Sequence, residues 1–103
     1  MVQIQDKGKG EIQYLFTGNL SVSSVEEMYT QLNGQEVREG VCLFQVRDVE
    51  HLDMSFFQVL YAFICKLQKA DTKVNVSFQL DEEYSRVFDR SGLKEAFDQL
   101  IKV

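Results

Sequence analysis

Ser55 is the side chain of this 103-residue sequence with the most chemistry open to it. It stands two positions after Asp53. From the residues alone both side chains read as helix caps, because Asp and Ser are the side chains that cap helix N-termini. His51 is the one histidine. Without a second histidine, a nearby cysteine or a serine of the nucleophile-elbow type, it builds neither a metal site nor a triad. Glu26-Glu27 and Asp81-Glu82-Glu83 could imitate a carboxylate site, but fit better as charge at helix starts facing water. Cys42 and Cys65 lie in apolar runs at a spacing that matches no zinc or redox motif, and read as reduced core residues of a cytosolic protein. Gly8 and Gly10 precede no helix, so no phosphate-cradling loop is expected. These residues predict a protein that is not an enzyme and carries no metal or cofactor.

Charge and composition narrow the partners. The formal net charge of -5 argues against nucleic acid, whose phosphates reward a basic surface, and against adsorption to anionic lipid. The longest apolar-rich stretch, Phe56 to Leu67, is too short to span a bilayer and is interrupted by Gln58 and Lys66. The first residues carry no signal-peptide pattern. Eight Phe and four Tyr within a 45% hydrophobic composition supply one core, and no proline, repeat or linker divides the chain. Residues 1–103 are therefore expected to form one domain.

The elements that must position Ser55 follow from periodicity. Val2 to Gln5 alternates, and residues 6–10 form a hairpin-type loop into a second strand over Ile12, Tyr14 and Phe16. Thr17-Gly18-Asn19 should end it, and Ser23 or Ser24 can cap a helix whose inner face is Val25, Met28 and Leu32. The run from Val41 to Val46 reads as a strand buried on both faces. Asp53 or Ser55 then opens a helix to about Lys69, followed by a strand over Val74, Val76 and Phe78. Asp81 to Arg90 makes a third helix stopped near Gly92. Leu93, Phe97, Leu100 and Ile101 share one face of a fourth. The order β-β-α-β-α-β-α-α predicts an α/β fold, a mixed four-stranded sheet covered by helices.

Three segments resemble one family, the STAS domains of sulfate transporters and anti-sigma factor antagonists. Phe16-Thr17-Gly18-Asn19-Leu20 is similar to their strand-turn-helix opening. Val49 to Ser55 resembles the loop before their second helix, and Val87-Phe88-Asp89-Arg90-Ser91-Gly92-Leu93 their late helix-to-turn motif. The resemblance spans nearly the whole chain. It implies a standalone bacterial, cytoplasmic module of transcription regulation that binds a serine-kinase-type anti-sigma partner. Ser55 takes the place of the phosphorylated serine and Asp53 that of its acidic neighbour. Met54 and Phe56 stand where the family usually has small residues, and Asn19 where an acid often follows Thr-Gly.

The second helix has more apolar residues than a core face needs. Phe57, Leu60, Ile64 and Leu67 repeat at core spacing. Met54, Phe56, Val59, Tyr61 and Phe63 are left over, and Phe56, Val59 and Phe63 form a second stripe headed by Met54. Either neighbouring helices cover that stripe, or it binds a partner or a second copy of the chain. The partner-binding set expected from sequence is Asn19, Asp53, Met54, Ser55, Phe56, Val59 and Phe63, with Phe56 crowding the approach of a kinase to Ser55. The rival expectation is a non-phosphorylated STAS subunit of a membrane-associated, lipid-transport-type ATPase, in which a bulky Phe56 makes a fixed contact.

Overall fold

The computed structural model describes residues 2–8, 10–34 and 40–101, with the side chains of 99–101 excepted. Its elements run β1 (Val2–Gly8), β2 (Glu11–Leu20), α1 (Val22–Asn33), β3 (Gly40–Leu52), α2 (Met54–Lys69), β4 (Thr72–Phe78), α3 (Glu82–Arg90) and α4 (Lys94–Ile101). This is the expected order. The four strands form one sheet in chain order, β1-β2-β3-β4, with β1 antiparallel to β2 and the other pairs parallel.

Two parallel neighbours joined by right-handed crossovers place both crossover helices on the same side of the sheet. The burial pattern agrees. Tyr14, Phe16, Cys42, Phe44, Val46 and Val74 are buried on the helical side. Leu15, Leu43 and Gln45, which point the other way, are only half-buried, and Asn75 and Ser77 are exposed. The helices thus cover one face, and β3 is not sandwiched as its apolar run suggested. Its alternate residues differ because no helix of the described residues reaches the second face.

Both central strands run further than expected. Thr17-Gly18-Asn19 stays in β2, and residues 49–52 stay in β3, where Gly18 pairs with Val49, Asn19 with His51 and Leu20 with Leu52. The register shifts on both sides of Gly18, whose φ of 76° is open to glycine at little cost. Opposite it, Asp48 adopts φ 50°. Asp and Asn tolerate that region better than other side chains. The chain thus keeps its pairing across an irregularity and delivers Leu20 and Leu52 side by side, each one or two residues before a helix.

Two aromatic groups fill the core. Tyr14 stacks on Phe44 with centroids 4.7 Å apart, and Phe63 meets both edge-on at 5.6 and 6.0 Å. Phe57, Phe78, Phe88 and Phe97 make the second group under α3 and α4, with Phe57 stacked on Phe88 at 4.6 Å. Phe97 is buried and Leu93 half-buried as expected; Leu100 and Ile101 lie outside the described side chains. α3 is tied to β3 by Tyr84, whose hydroxyl donates to the Glu50 carbonyl, and is capped by Asp81, which accepts from Tyr84 N at 3.1 Å.

Tyr14 supplies a titration test of this packing. Burial, and then the neighbouring Cys42, push its phenol up to about 12. A raised pKa stabilises the fold below the unfolded value of about 10 and loses that contribution as pH rises toward 12. Spectrophotometric titration is expected to find Tyr14 still protonated after a free phenol would have ionised, with Tyr61 and Tyr84 shifted in the same direction. Tyr14→Phe should flatten the loss of stability between about pH 10 and pH 12.

Candidate functional site

The site forms where α1 and α2 begin. Asp53 is the N-cap of α2 and accepts from Ser55 N at 3.2 Å. The Ser55 hydroxyl donates to the same carboxylate oxygen. The other oxygen, Asp53 Oδ2, accepts from Val22 N at 2.7 Å, which is the first residue of α1. One carboxylate therefore caps two helices, and its negative charge sits where both helix dipoles are positive. Partial burial pushes the Asp53 carboxyl up, but the bonds from the Ser55 hydroxyl, Val22 N–H and Ser55 N–H together outweigh it. They hold the group below the usual carboxylate value.

This arrangement revises the expected caps. Ser21, not Ser23 or Ser24, is the N-cap residue of α1, and its side chain makes no capping bond. Its hydroxyl is already engaged, donating to Asn19 Oδ1 at 2.6 Å while Ser21 N donates to the same atom at 2.9 Å. With that proton committed, the 2.9 Å contact between the Ser21 and Ser23 hydroxyls leaves Ser23 as donor. Ser24 Oγ donates to the Asn19 carbonyl at 2.6 Å. Asn19 thus organises the turn into α1, and Asp53 supplies from across the sheet the cap that the local serines do not. Sequence reasoning missed Ser21 and Val22. The spacing Asn19-x-Ser21 of a side-chain-closed turn could have flagged Ser21, whereas no local spacing encodes a contact between residues 22 and 53.

Ser55 is half-buried and lies between the two helix starts, with Met54 (45% exposed) and Val22 (69% exposed) beside it. Asn19, Asp53, Met54 and Ser55 are therefore gathered in one place. Phe56 and Phe63 are not part of its surface. Phe56 is fully buried, edge-on to Phe16 at 5.5 Å and to Phe57 at 5.4 Å, and Phe63 lies under α2 against Tyr14 and Phe44. They point inward because α2 is flanked by α1 on one side and by α3 and α4 on the other, which widens its buried arc. Tyr61 packs edge-on against Phe97 at 5.6 Å. Val59 is half-buried on the flank of α2 that faces α1. With Phe56 turned inward, nothing bulky on the core side of Ser55 crowds its hydroxyl.

The hydroxyl–carboxylate pair is chemically limited by itself. Asp53 is held ionised by three donors, which makes it a weak base, and His51 is exposed on β3. Among the described residues, no group of three His, Cys, Asp or Glu could hold a metal ion, and no helix is long and apolar enough to cross a membrane.

A solved structure, that of the anti-sigma factor antagonist SpoIIAA in its unphosphorylated form, matches with a TM-score of 0.62, covering 100% of both chains. The fold is the STAS fold. Sequence identity over that match is 12%, so the shared property is the STAS architecture: the mixed four-stranded sheet and its helices. No protein-family model matches the chain, and no curated protein matches it in sequence. In STAS terms the late motif Val87 to Leu93 spans the end of α3 and the turn into α4, where Ser91 Oγ donates to the Phe88 carbonyl at 2.6 Å and accepts from Leu93 N at 3.1 Å.

Proposed function

We propose that this chain is a non-enzymatic regulatory module that binds a protein partner with the joined heads of α1 and α2, and that a phosphate on Ser55 switches the contact. The observation carrying this reading is the placement of Ser55. Its half-buried hydroxyl stands at a helix N-terminus between two exposed apolar side chains, Val22 and Met54. Helix N-terminal amides favour a phosphate, yet it would add nearly two negative charges against Asp53. Asp53 would then be pushed off one of its donors, and the cap shared by the two helices would change. The partner class is an anti-sigma factor of the serine-kinase type, acting in the cytosol on transcription; the likeness to an anti-sigma factor antagonist supports this. The rival reading, a constitutive subunit of a membrane-associated ATPase, took Phe56 as its fixed contact. Burial of Phe56 removes that support.

The test is phosphosite mapping of the chain isolated from its native cells, together with partner capture by three variants. Phosphate on Ser55 is expected, as is loss of capture by about tenfold or more in Ser55→Glu and Met54→Asp with retention in Ser55→Ala. An unmodified Ser55, with capture indifferent to Ser55→Glu, would overturn the switch and leave the constitutive reading.

A further inference from the structure

Asp53 holds the two helix starts with different oxygens. Oδ1 accepts from both groups of Ser55, the backbone N–H at 3.2 Å and the hydroxyl. Oδ2 accepts from Val22 N at 2.7 Å, the shorter of the two backbone bonds, across 31 positions of the chain. Ser55 is the second residue of α2, so the N–H that Oδ1 caps belongs to the residue whose hydroxyl it also accepts. The next amide of that turn, Phe56 N, already donates to the Asp53 carbonyl at 3.2 Å. The start of α1 depends on Asp53 more narrowly. Ser21, its N-cap residue, makes no capping bond, because its hydroxyl is committed to Asn19 Oδ1.

A phosphate on Ser55 acts on these two oxygens unequally. It removes the proton that the hydroxyl donates to Oδ1 and adds three acceptor oxygens with nearly two negative charges. Those oxygens hang from the atom that Oδ1 now touches. They compete with Oδ1 for the Ser55 N–H, and like charge repels it. Helix N-terminal amides take a phosphate oxygen readily. Val22 N is held by the other oxygen, and the N-cap serine of α1 offers it no substitute. Asp53 therefore yields the contact in which it has a stronger rival and keeps the one in which it has none.

We propose that a phosphate on Ser55 takes over the cap of α2 and confines Asp53 to α1. The inference rests on the phosphorylation reading and states how that site is regulated. One carboxylate bridging two helix starts gives way to two anions, one on each. Both helices stay capped, so the switch works without unfolding either. Val22 and Met54, the exposed first residues of α1 and α2, are then no longer held to one shared charge. A partner that reads both side chains meets a divided surface.

The test uses the isotope-labelled full chain with phosphoserine incorporated at position 55 during synthesis, so that it needs no kinase. In the unmodified chain, the Val22 and Ser55 amide signals are both expected to move as Asp53 takes up its proton, below the usual carboxylate value. In the phosphorylated chain Val22 alone should follow that step. The Ser55 amide should instead follow the second ionisation of the phosphate, at about pH 6. At neutral pH, Asp53→Asn should displace both signals in the unmodified chain and only that of Val22 in the phosphorylated one. A Ser55 amide that still follows Asp53 after phosphorylation would overturn the proposal. So would a Val22 amide that follows the phosphate, which would make the phosphate the bridge. An unmodified Ser55 in native cells would end the phosphorylation reading and leave these signals as they are, so the two can fail separately.

Discussion

Phe56→Ala is expected to cost about 3–5 kcal/mol of stability, the range for emptying a core position of a phenylalanine. The side chain is fully buried and links the two aromatic groups of the core, touching Phe57 of one and Phe16, which stacks on Phe44 of the other with centroids 6.1 Å apart. Its removal leaves a hole where α2 meets β2, and neither group can close it without moving its own rings. Domains of this kind have only about 5–15 kcal/mol in total, so the loss is a large fraction of what holds the chain folded. Phe56→Glu should do worse, burying a carboxylate with no partner, and is expected to leave the chain unfolded. Met54→Glu, two positions away but 45% exposed, is expected to stay within about 0.5 kcal/mol of wild type. Urea unfolding of the three variants reads the difference directly. A wild-type midpoint for Phe56→Ala would return Phe56 to the surface stripe. The same numbers change how binding data must be read: partner loss in Phe56→Glu reports a lost fold, whereas partner loss in Met54→Asp reports a lost contact.

Asp53→Ala should be the most damaging change among the polar residues of the site. It removes the acceptors for Val22 N, Ser55 N and the Ser55 hydroxyl together, and so uncaps two helices at once. Each cap is worth about 0.5–2 kcal/mol, which sets the expected loss at roughly 2–3 kcal/mol. Protection of the first turn of α1 against amide exchange should fall with it, although α1 is far away in sequence. The pH dependence has a definite sign. The folded carboxyl titrates below the unfolded value of about 3.9, so its contribution is complete above that value and is lost as pH falls through the lower, folded one. Asp53→Asn keeps the shape and one acceptor oxygen, and should remove this acid-dependent step while losing less stability at neutral pH. Unfolding midpoints at about pH 7 and pH 3 for the two variants check both parts. An unchanged α1 would mean that Val22 finds another acceptor.

Much of the architecture was legible because the relevant signals are local. Alternation in Tyr14-Leu15-Phe16 and the spacing of Phe57, Leu60, Ile64 and Leu67 are enough to order the elements and orient α2 on the sheet. The strand ends were not. Residues 47–52 read Arg-Asp-Val-Glu-His-Leu, with no clean alternation, and they remain in β3 because Gly18, Asn19 and Leu20 pair with them from another part of the chain. Phe56 and Phe63 failed for a related reason. A helical wheel gives the direction of the core but not the number of helices packed beside it, and α2 has neighbours on both flanks. Asp53 was legible as a cap of its own helix. Its second bond, to Val22, belongs to the tertiary structure alone.

The order of strands in the sheet has a consequence for how the chain reaches this state. Since β1-β2-β3-β4 is also the order of synthesis, no strand must wait for a later one to be inserted between it and its neighbour. Each new strand adds to the outer edge of what is already assembled, and each crossover spans only one helix. The growing edge is therefore always the most recently made strand, and the entropy of closing each loop is met one short step at a time. A ribosome releasing the chain from its N-terminus exposes no half-built slot in the middle of the sheet, only a single advancing margin that β4 finally occupies.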